Sequence, residues 1–272
     1  MELRQTALRA LQESDPDAKV AAVHACQPWP TQGRIDAQAC WSEEPAGVPG
    51  RPRRPHLIHP GAVPQRSPHT PRGLAALMHA VCHIEFNAIN LALDAIWRYP
   101  GLPEDYYLDW WRVASEEAGH FMLVRQHLRG LGFEYGDFDA HDGLWAMCQA
   151  TANDVLARMA LVPRTLEARG LDATPLIQAK LRQAATPQAL SAVAVLDVIL
   201  RDEVGHVAVG NHWFHWLCAR QGLDPVAQDR LLHERHRAPR LKPPFNLSAR
   251  RQAGFSAQEM AQWEGQGLPA GD

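Results

Sequence analysis

One short pattern occurs twice, and it constrains this chain more than any other feature. Residues 115–121 read Ser-Glu-Glu-Ala-Gly-His-Phe and residues 201–207 read Arg-Asp-Glu-Val-Gly-His-Val. Glu117 and His120 therefore correspond to Glu203 and His206. Residues three apart on an α-helix share a face, so each Glu and His can grip one ion together. Two Glu-x-x-His helices, with one further glutamate from each of two others, are how a four-helix bundle holds two metals. One copy would be weak, because glutamate and histidine often share a helix face by chance. Two copies with the same flanks, each inside an apolar helix, are a strong signal.

The rest of the chain must then supply two more helices and two more glutamates. With 272 residues, 46% hydrophobic and 21% charged, it has enough apolar material for a sizeable core. A net charge of −3 and a pI near 6.5 give no global case for nucleic acid or an anionic membrane. No run of about 18 unbroken apolar residues is present, so no transmembrane helix is expected. The start, Met-Glu-Leu-Arg-Gln, lacks the basic and apolar blocks of a signal peptide. Cys26, Cys40, Cys82, Cys148 and Cys218 form no CxxC pair and read as reduced thiols. Together these features predict a cytoplasmic protein.

Residues 2–26 read as two short helices broken at Ser14-Asp15-Pro16. Between Pro45 and Pro71 eight of 27 residues are proline, so this segment is extended. Leu57, Ile58 and Val63 favour an arm docked on a neighbouring surface over a free linker. Thr70-Pro71 opens helix one, which runs to about Tyr99, and helix two runs from about Glu104 to Leu131. A long connection over 132–143 leads to helix three, which reaches about Arg169. Gly170-Leu171-Asp172 interrupts that helix and Thr174-Pro175 caps a further segment. Thr186-Pro187 opens helix four, to about Gln221, and Asp224-Pro225 opens a last helix. Ser256 and Glu259 form a capping box. The division is 1–44 N-terminal helices, 45–70 Pro-rich arm, 71–221 four-helix bundle, and 222–272 C-terminal helix and tail. The fold class is all-α, an antiparallel four-helix bundle of ferritin-like connectivity.

Glu85 supplies the third carboxylate, because it falls within the apolar stripe of helix one and a charge there needs compensation. It precedes Glu117 by 32 residues (117 − 85), and Glu167 precedes Glu203 by 36 (203 − 167). No other glutamate lies between residues 135 and 202, and Asp154 is the rival for helix three. The metal set is then Glu85, Glu117, His120, Glu167, Glu203 and His206, four carboxylates that neutralise two dications. Asp202 and Glu116 sit one residue before the motif glutamates, where each could accept the free ring N–H of a ligand histidine. His79 and His83 suit core hydrogen bonding or contact with the ligands better than ligation. His56, His59, His69, His212 and His215 read as surface or interface residues, and Tyr106, Tyr107, Trp110 and Trp111 as core rather than the lining of a substrate channel. Close approach of a neighbouring helix would explain Gly119 and Gly205.

These motifs come with three others: Pro49-Gly-Arg-Pro-Arg-Arg-Pro55, Ala160-Leu-Val-Pro-Arg-Thr-Leu-Glu-Ala-Arg-Gly170 and Lys242-Pro-Pro-Phe-Asn246. Together, over roughly 45–255, the chain resembles the ferritin-like family called DUF455. More distantly, Arg201-Asp-Glu-Val-Gly-His206 is similar to the second metal motif of the di-iron carboxylate superfamily, which includes ribonucleotide reductase small subunits and tRNA hydroxylases. In that superfamily the aspartate before the glutamate supports a ligand histidine, the role the likeness implies for Asp202. The resemblance implies two iron ions, or manganese with iron. No tyrosine lies within one turn of a proposed ligand in sequence, so a reductase-like tyrosyl radical is not supported.

The expected activity is that of an oxidoreductase that activates O2 to hydroxylate or oxidise a small organic molecule, with an external electron donor as a further partner. The alternatives are a non-catalytic iron or peroxide handler of ferritin type, and an interaction protein stabilised by metal. No membrane partner is expected. A homodimer and a tRNA substrate remain open.

Overall fold

The computed structural model describes residues 1–26, 28–29, 33–41 and 43–266, with side chains as far as residue 261. The end of the expected C-terminal tail, 267–272, lies outside the described residues. The fold is all-α, and the extended contacts among the described residues are two isolated bridges, Glu2–Arg34 and Leu57–Ala140. Two compact units form: Met1–Trp145 with Ala184–Val195, and Ala146–Gln183 with Leu196–Asp272.

In the first unit α1 (Leu3–Gln12) and α2 (Pro16–His24) meet at the predicted break, where Asp15 accepts from the Ala18 amide at 2.8 Å. Then come α3 (Pro71–Arg98), capped by Thr70, and α4 (Glu104–Gly130). These two are antiparallel: Cys82 Sγ reaches the Phe121 carbonyl, and Tyr107 Oη donates to the Tyr99 carbonyl at 2.9 Å. Tyr106, Tyr107, Trp110 and Trp111 are buried core.

Beyond its apolar stripe, α3 buries a second, polar one: His79, His83, Asn87, Asn90 and Asp94. Buried polar groups need partners, and the segments around α3 supply them. His79 Nε2 accepts from the Gly136 amide at 2.9 Å, and His83 Nδ1 meets Tyr135 Oη at 2.9 Å. Lys19 Nζ donates to Asn90 Oδ1 at 2.6 Å. The Pro-rich arm lies against this unit through its backbone: Gly50 N–H donates to the Leu11 carbonyl, and residues 56–58 pair with Ala140. Arg51 joins it to Asp142 at 2.6 Å. The apolar side chains do less than expected, since Ile58 and Val63 are half-buried and Leu57 is exposed.

The run α5 (Gly143–Ala150), α6 (Val155–Leu161), a π-helical turn (Val162–Glu167) and α7 (Ala168–Ala184) stands where helix three was expected. The expected interruption at Gly170 is absent; the break falls at 151–154. There Arg158, fully buried, donates to Thr151 Oγ1 at 2.9 Å and to the Cys148 carbonyl at 2.6 Å, and Asp154 caps α6 by accepting from the Ala157 amide. Thr174-Pro175 does not start a helix, because Pro175 sits inside α7. Proline cannot donate to the carbonyl four residues back, and that carbonyl, of Leu171, is bonded by Asn246 Nδ2 at 3.2 Å instead.

α8 (Pro187–Gln221), α9 (Pro225–Arg235), α10 (Leu247–Gln252) and α11 (Ala257–Gln266) complete the chain. In the second unit Ala168, Leu171 and Val207 pack with Ala249, Ala253, Phe255 and Met260. Among the described residues α3 is the one helix long and apolar enough to cross a membrane, and 78% of its most apolar window is buried within the protein.

Close helix approach does not explain Gly119 or Gly205, since a Cβ on either would meet no atom within 4 Å. The close contact is at Gly210, where a Cβ would stand 2.5 Å from Pro163 Cβ in the π-helical turn. Gly205→Ala should therefore raise stability by about 0.5–1 kcal/mol through helix propensity. Gly210→Ala should lower it by about 1–3 kcal/mol through overpacking. Urea unfolding of both variants checks the pair; equal effects would place the close contact elsewhere.

Candidate metal centre

The first copy of the motif lies in the middle of α4, whose first turn carries Glu104 and Asp105 and whose last carries His127 and Arg129. That charge order suits the helix dipole and keeps the helix unbroken through Gly119. Glu117 and His120 are 1% and 4% exposed, and Glu85 on the facing side of α3 is 5% exposed. His120 Nδ1 stands 3.3 Å from Glu117 Oε2 and 3.6 Å from Glu85 Oε2. Glu85 also hydrogen-bonds Glu117. Two carboxylates and an imidazole thus converge inside an apolar helix pair.

Their electrostatics follow from that burial. Desolvation pushes the Glu85 carboxyl up to about 8, with Glu117 adding to the rise and His120 opposing it. Desolvation alone would lower His120, but its bonds to Glu117 and Glu85 outweigh it and hold the imidazolium up to about 11. A metal bound here would have to displace these protons, because metal ligands must be deprotonated.

In the second unit the other copy lies within α8 and repeats the internal geometry: His206 Nδ1 is 3.2 Å from Glu203 Oε2. His206 is 1% exposed and Glu203 is half-buried. Gly170 faces Glu203, with its Cβ position 3.9 Å from Glu203 Cγ. Glu167 ends the π-helical turn, one helical turn before Gly170. Asp154 is held at the start of α6 by its capping bond. Asp202 pairs with Arg201 at 2.8 Å, and Glu116 is half-buried on α4.

The connection after α4 carries Tyr135. Its ring packs on Phe86 and Phe121, the chain neighbours of Glu85 and His120, at centroid distances of 5.5 and 5.2 Å. Burial pushes its phenol well above the ordinary range. No periodic pattern marks residue 135, so only folding could reveal it.

A family described as "Protein of unknown function (DUF455)" matches residues 12–261, beginning well before the stretch over which the sequence motifs carry the likeness. A protein of Haemophilus influenzae, described as "Uncharacterized protein", is 51% identical over 216 residues, covering 77% of this chain and 74% of its own. No solved structure matches the chain.

The Glu85–His120 cluster gives the metal-free protein a definite pH dependence. Both folded values lie above the ordinary ones of 4.5 and 6.5. The stabilisation is therefore complete below those values and is lost as pH rises through about 8 for Glu85 and about 11 for His120. After chelation Tm should fall from about pH 6 to about pH 9, and Glu85→Gln should flatten that slope. A Tm that does not move with pH in chelated wild-type protein would contradict this account.

Proposed function

We propose, on the premise that this chain belongs to the DUF455 family, that it is an O2-activating oxidoreductase acting on an organic substrate. Its metals would be two irons, or manganese with iron, and its ligand set Glu85, Glu117, His120, Glu167, Glu203 and His206. The observation that carries this reading is the shared geometry of the two motifs, in which a histidine Nδ1 stands 3.3 or 3.2 Å from the glutamate three residues before it. A dication at this cluster would take the place of the protons that Glu85 and His120 hold without it, and would face the buried carboxylates of Glu85 and Glu117. Carboxylate oxygens with imidazole suit iron or manganese by ligand type.

Bound ferrous ions would supply the electrons that reduce O2. The chain's own residues do the rest. Burial keeps water from Glu85, Glu117 and His120. The orientation of His120 turns Nδ1, rather than Nε2, toward the two carboxylates. Along the same face of α4, Leu123 and His127 line a groove of about 530 Å³ with Leu131, Pro187, Ser191 and Val195. The groove lies within the first unit and has no formally charged lining residue, apart from the histidine, whose burial favours its neutral form. That lining suits an uncharged, largely apolar substrate.

Elemental analysis of the purified protein should find about two metals per chain. Glu203→Ala and His206→Ala should each remove at least one. The anaerobic ferrous protein should consume O2 on mixing, faster when the substrate is present. Unchanged stoichiometry in both variants would sink the ligand set. Iron accumulating far beyond two per chain would favour the iron-handling alternative, and stable metal with no O2 consumption would favour a structural role.

A further inference from the structure

We infer that Glu259, on the C-terminal helix α11, is a positioning residue for Glu167: through Arg164 it fixes the π-helical turn that ends at Glu167. The inference rests on the proposed role of Glu167 as a metal ligand. A π turn holds one residue more than an α turn. Collapse to α geometry would swing the residues at its end by about 100°. Such a turn is uncommon and needs tertiary contacts to hold it, and three consecutive side chains of this one are clamped.

Pro163 has no N–H to extend the preceding helix, and its ring fills the space that Gly210 leaves by lacking a Cβ. Thr165 Oγ1 donates to the Ala160 carbonyl at 2.8 Å and meets His233 Nε2, on α9, at 2.9 Å. Arg164, between them, is 2% exposed. Its guanidinium lies 3.9 Å from the centre of the Phe214 ring and 5.2 Å from that of Phe255. It pairs with Glu259 Oε1 and stands 3.5 Å from Asp229 on α9.

Glu259 works in two directions. Its Oε2 accepts from the Ser256 amide at 2.8 Å and closes the capping box of α11. Its Oε1 takes Arg164 and lies 3.4 Å from His215 Nε2. Burial pushes the carboxyl up, but His215, Arg164 and Ser256 together outweigh it and hold it at about 2. It is therefore an anion at any working pH.

Capping alone does not call for this arrangement, because glutamine would cap as well. Stability does not call for it either, since well-packed apolar residues often replace a buried ion pair without loss. What the charge adds is direction, carried by the single bond from Arg164 Nη2 to Glu259 and by the Phe214 ring against the guanidinium. It fixes the rotation of the turn three residues before Glu167, and so the side of the helix that carries Gly170 and faces Glu203.

The test titrates Mn(II) into full-length protein, with bound metal read by electron paramagnetic resonance and folding by circular dichroism. Glu259→Gln keeps the size and the cap but removes the charge that orients Arg164. It should weaken one of the two metals by about ten- to a hundredfold, the range for partners that orient ligands, with helix content unchanged. Thr165→Val disturbs the same turn from the α9 side and should weaken the same metal, so the test survives if Glu259→Gln does not fold. Ser256→Ala loosens α11 without touching Arg164 and should leave both affinities intact. Wild-type affinity in folded Glu259→Gln or Thr165→Val would overturn the inference, and so would equal weakening in Ser256→Ala. Glu167→Gln separates the premise from the inference. If it binds both metals normally, the ligand assignment fails; if it loses one while Glu259→Gln loses none, only the positioning role fails.

Discussion

Charge buried among helices must be met by opposite charge or by hydrogen bonds, and much of this protein is arranged to meet it. Glu85 and Glu117 sit in the apolar pair of α3 and α4 with His120 between them. The buried cations follow the same rule from the other side. Arg4, fully buried, donates to the carbonyls of Ile96 and Trp97, where α3 ends and its last carbonyls lack helical partners. Lys19, held down to about 7 by burial, donates to the Leu11 carbonyl and to Asn90. Arg158 takes the Cys148 carbonyl, and Arg250 takes Asp172 together with the carbonyl of Ala168. Arg4 and Lys19 tie the N-terminal helices to α3, Arg158 ties α6 to the end of α5, and Arg250 ties α10 to the start of α7.

The irregular stretches are therefore more than decoration of a bundle. The 132–142 connection satisfies His79 and His83, and α2 satisfies Asn90 through Lys19. In the second unit the motif around Asn246 bonds the Leu171 carbonyl that Pro175 cannot reach, while Arg250 secures the start of α7. Of these segments, the one around Asn246 carries a motif through which the sequence resembles its family, and the bond to the Leu171 carbonyl gives that motif a physical reason to be there. Glu167, at the end of the π-helical turn, lies in the part of this framework that α9 and α11 hold.

Helix starts were legible at four of the five places where a cap before a proline predicts one, Thr174-Pro175 being the exception. Asp15-Pro16, Thr70-Pro71, Thr186-Pro187 and Asp224-Pro225 all open helices where the sequence predicts them. The Glu-x-x-His pairings were legible too, and so was the capping box of Ser256 and Glu259. In every one of these cases the partners lie within a few residues on one helix, so spacing alone decides the contact.

The misreadings share the opposite cause. Gly170 and Pro175 look like an interruption, yet α7 runs through both because Asn246, more than 70 residues away in sequence, takes the freed carbonyl. Gly119 and Gly205 look like contact points, while the contact falls at Gly210 because a π turn brings Pro163 there. The polar stripe of α3 and the place of Tyr135 beside Phe86 and Phe121 likewise depend on partners distant in the chain. The sequence by itself determined the helices, their caps and the face of each motif, because those are short-range interactions of single helices. Tertiary structure alone decided which breaks are real, which glycine is crowded and what clamps the turn ending at Glu167, because each depends on a partner brought in from elsewhere in the chain.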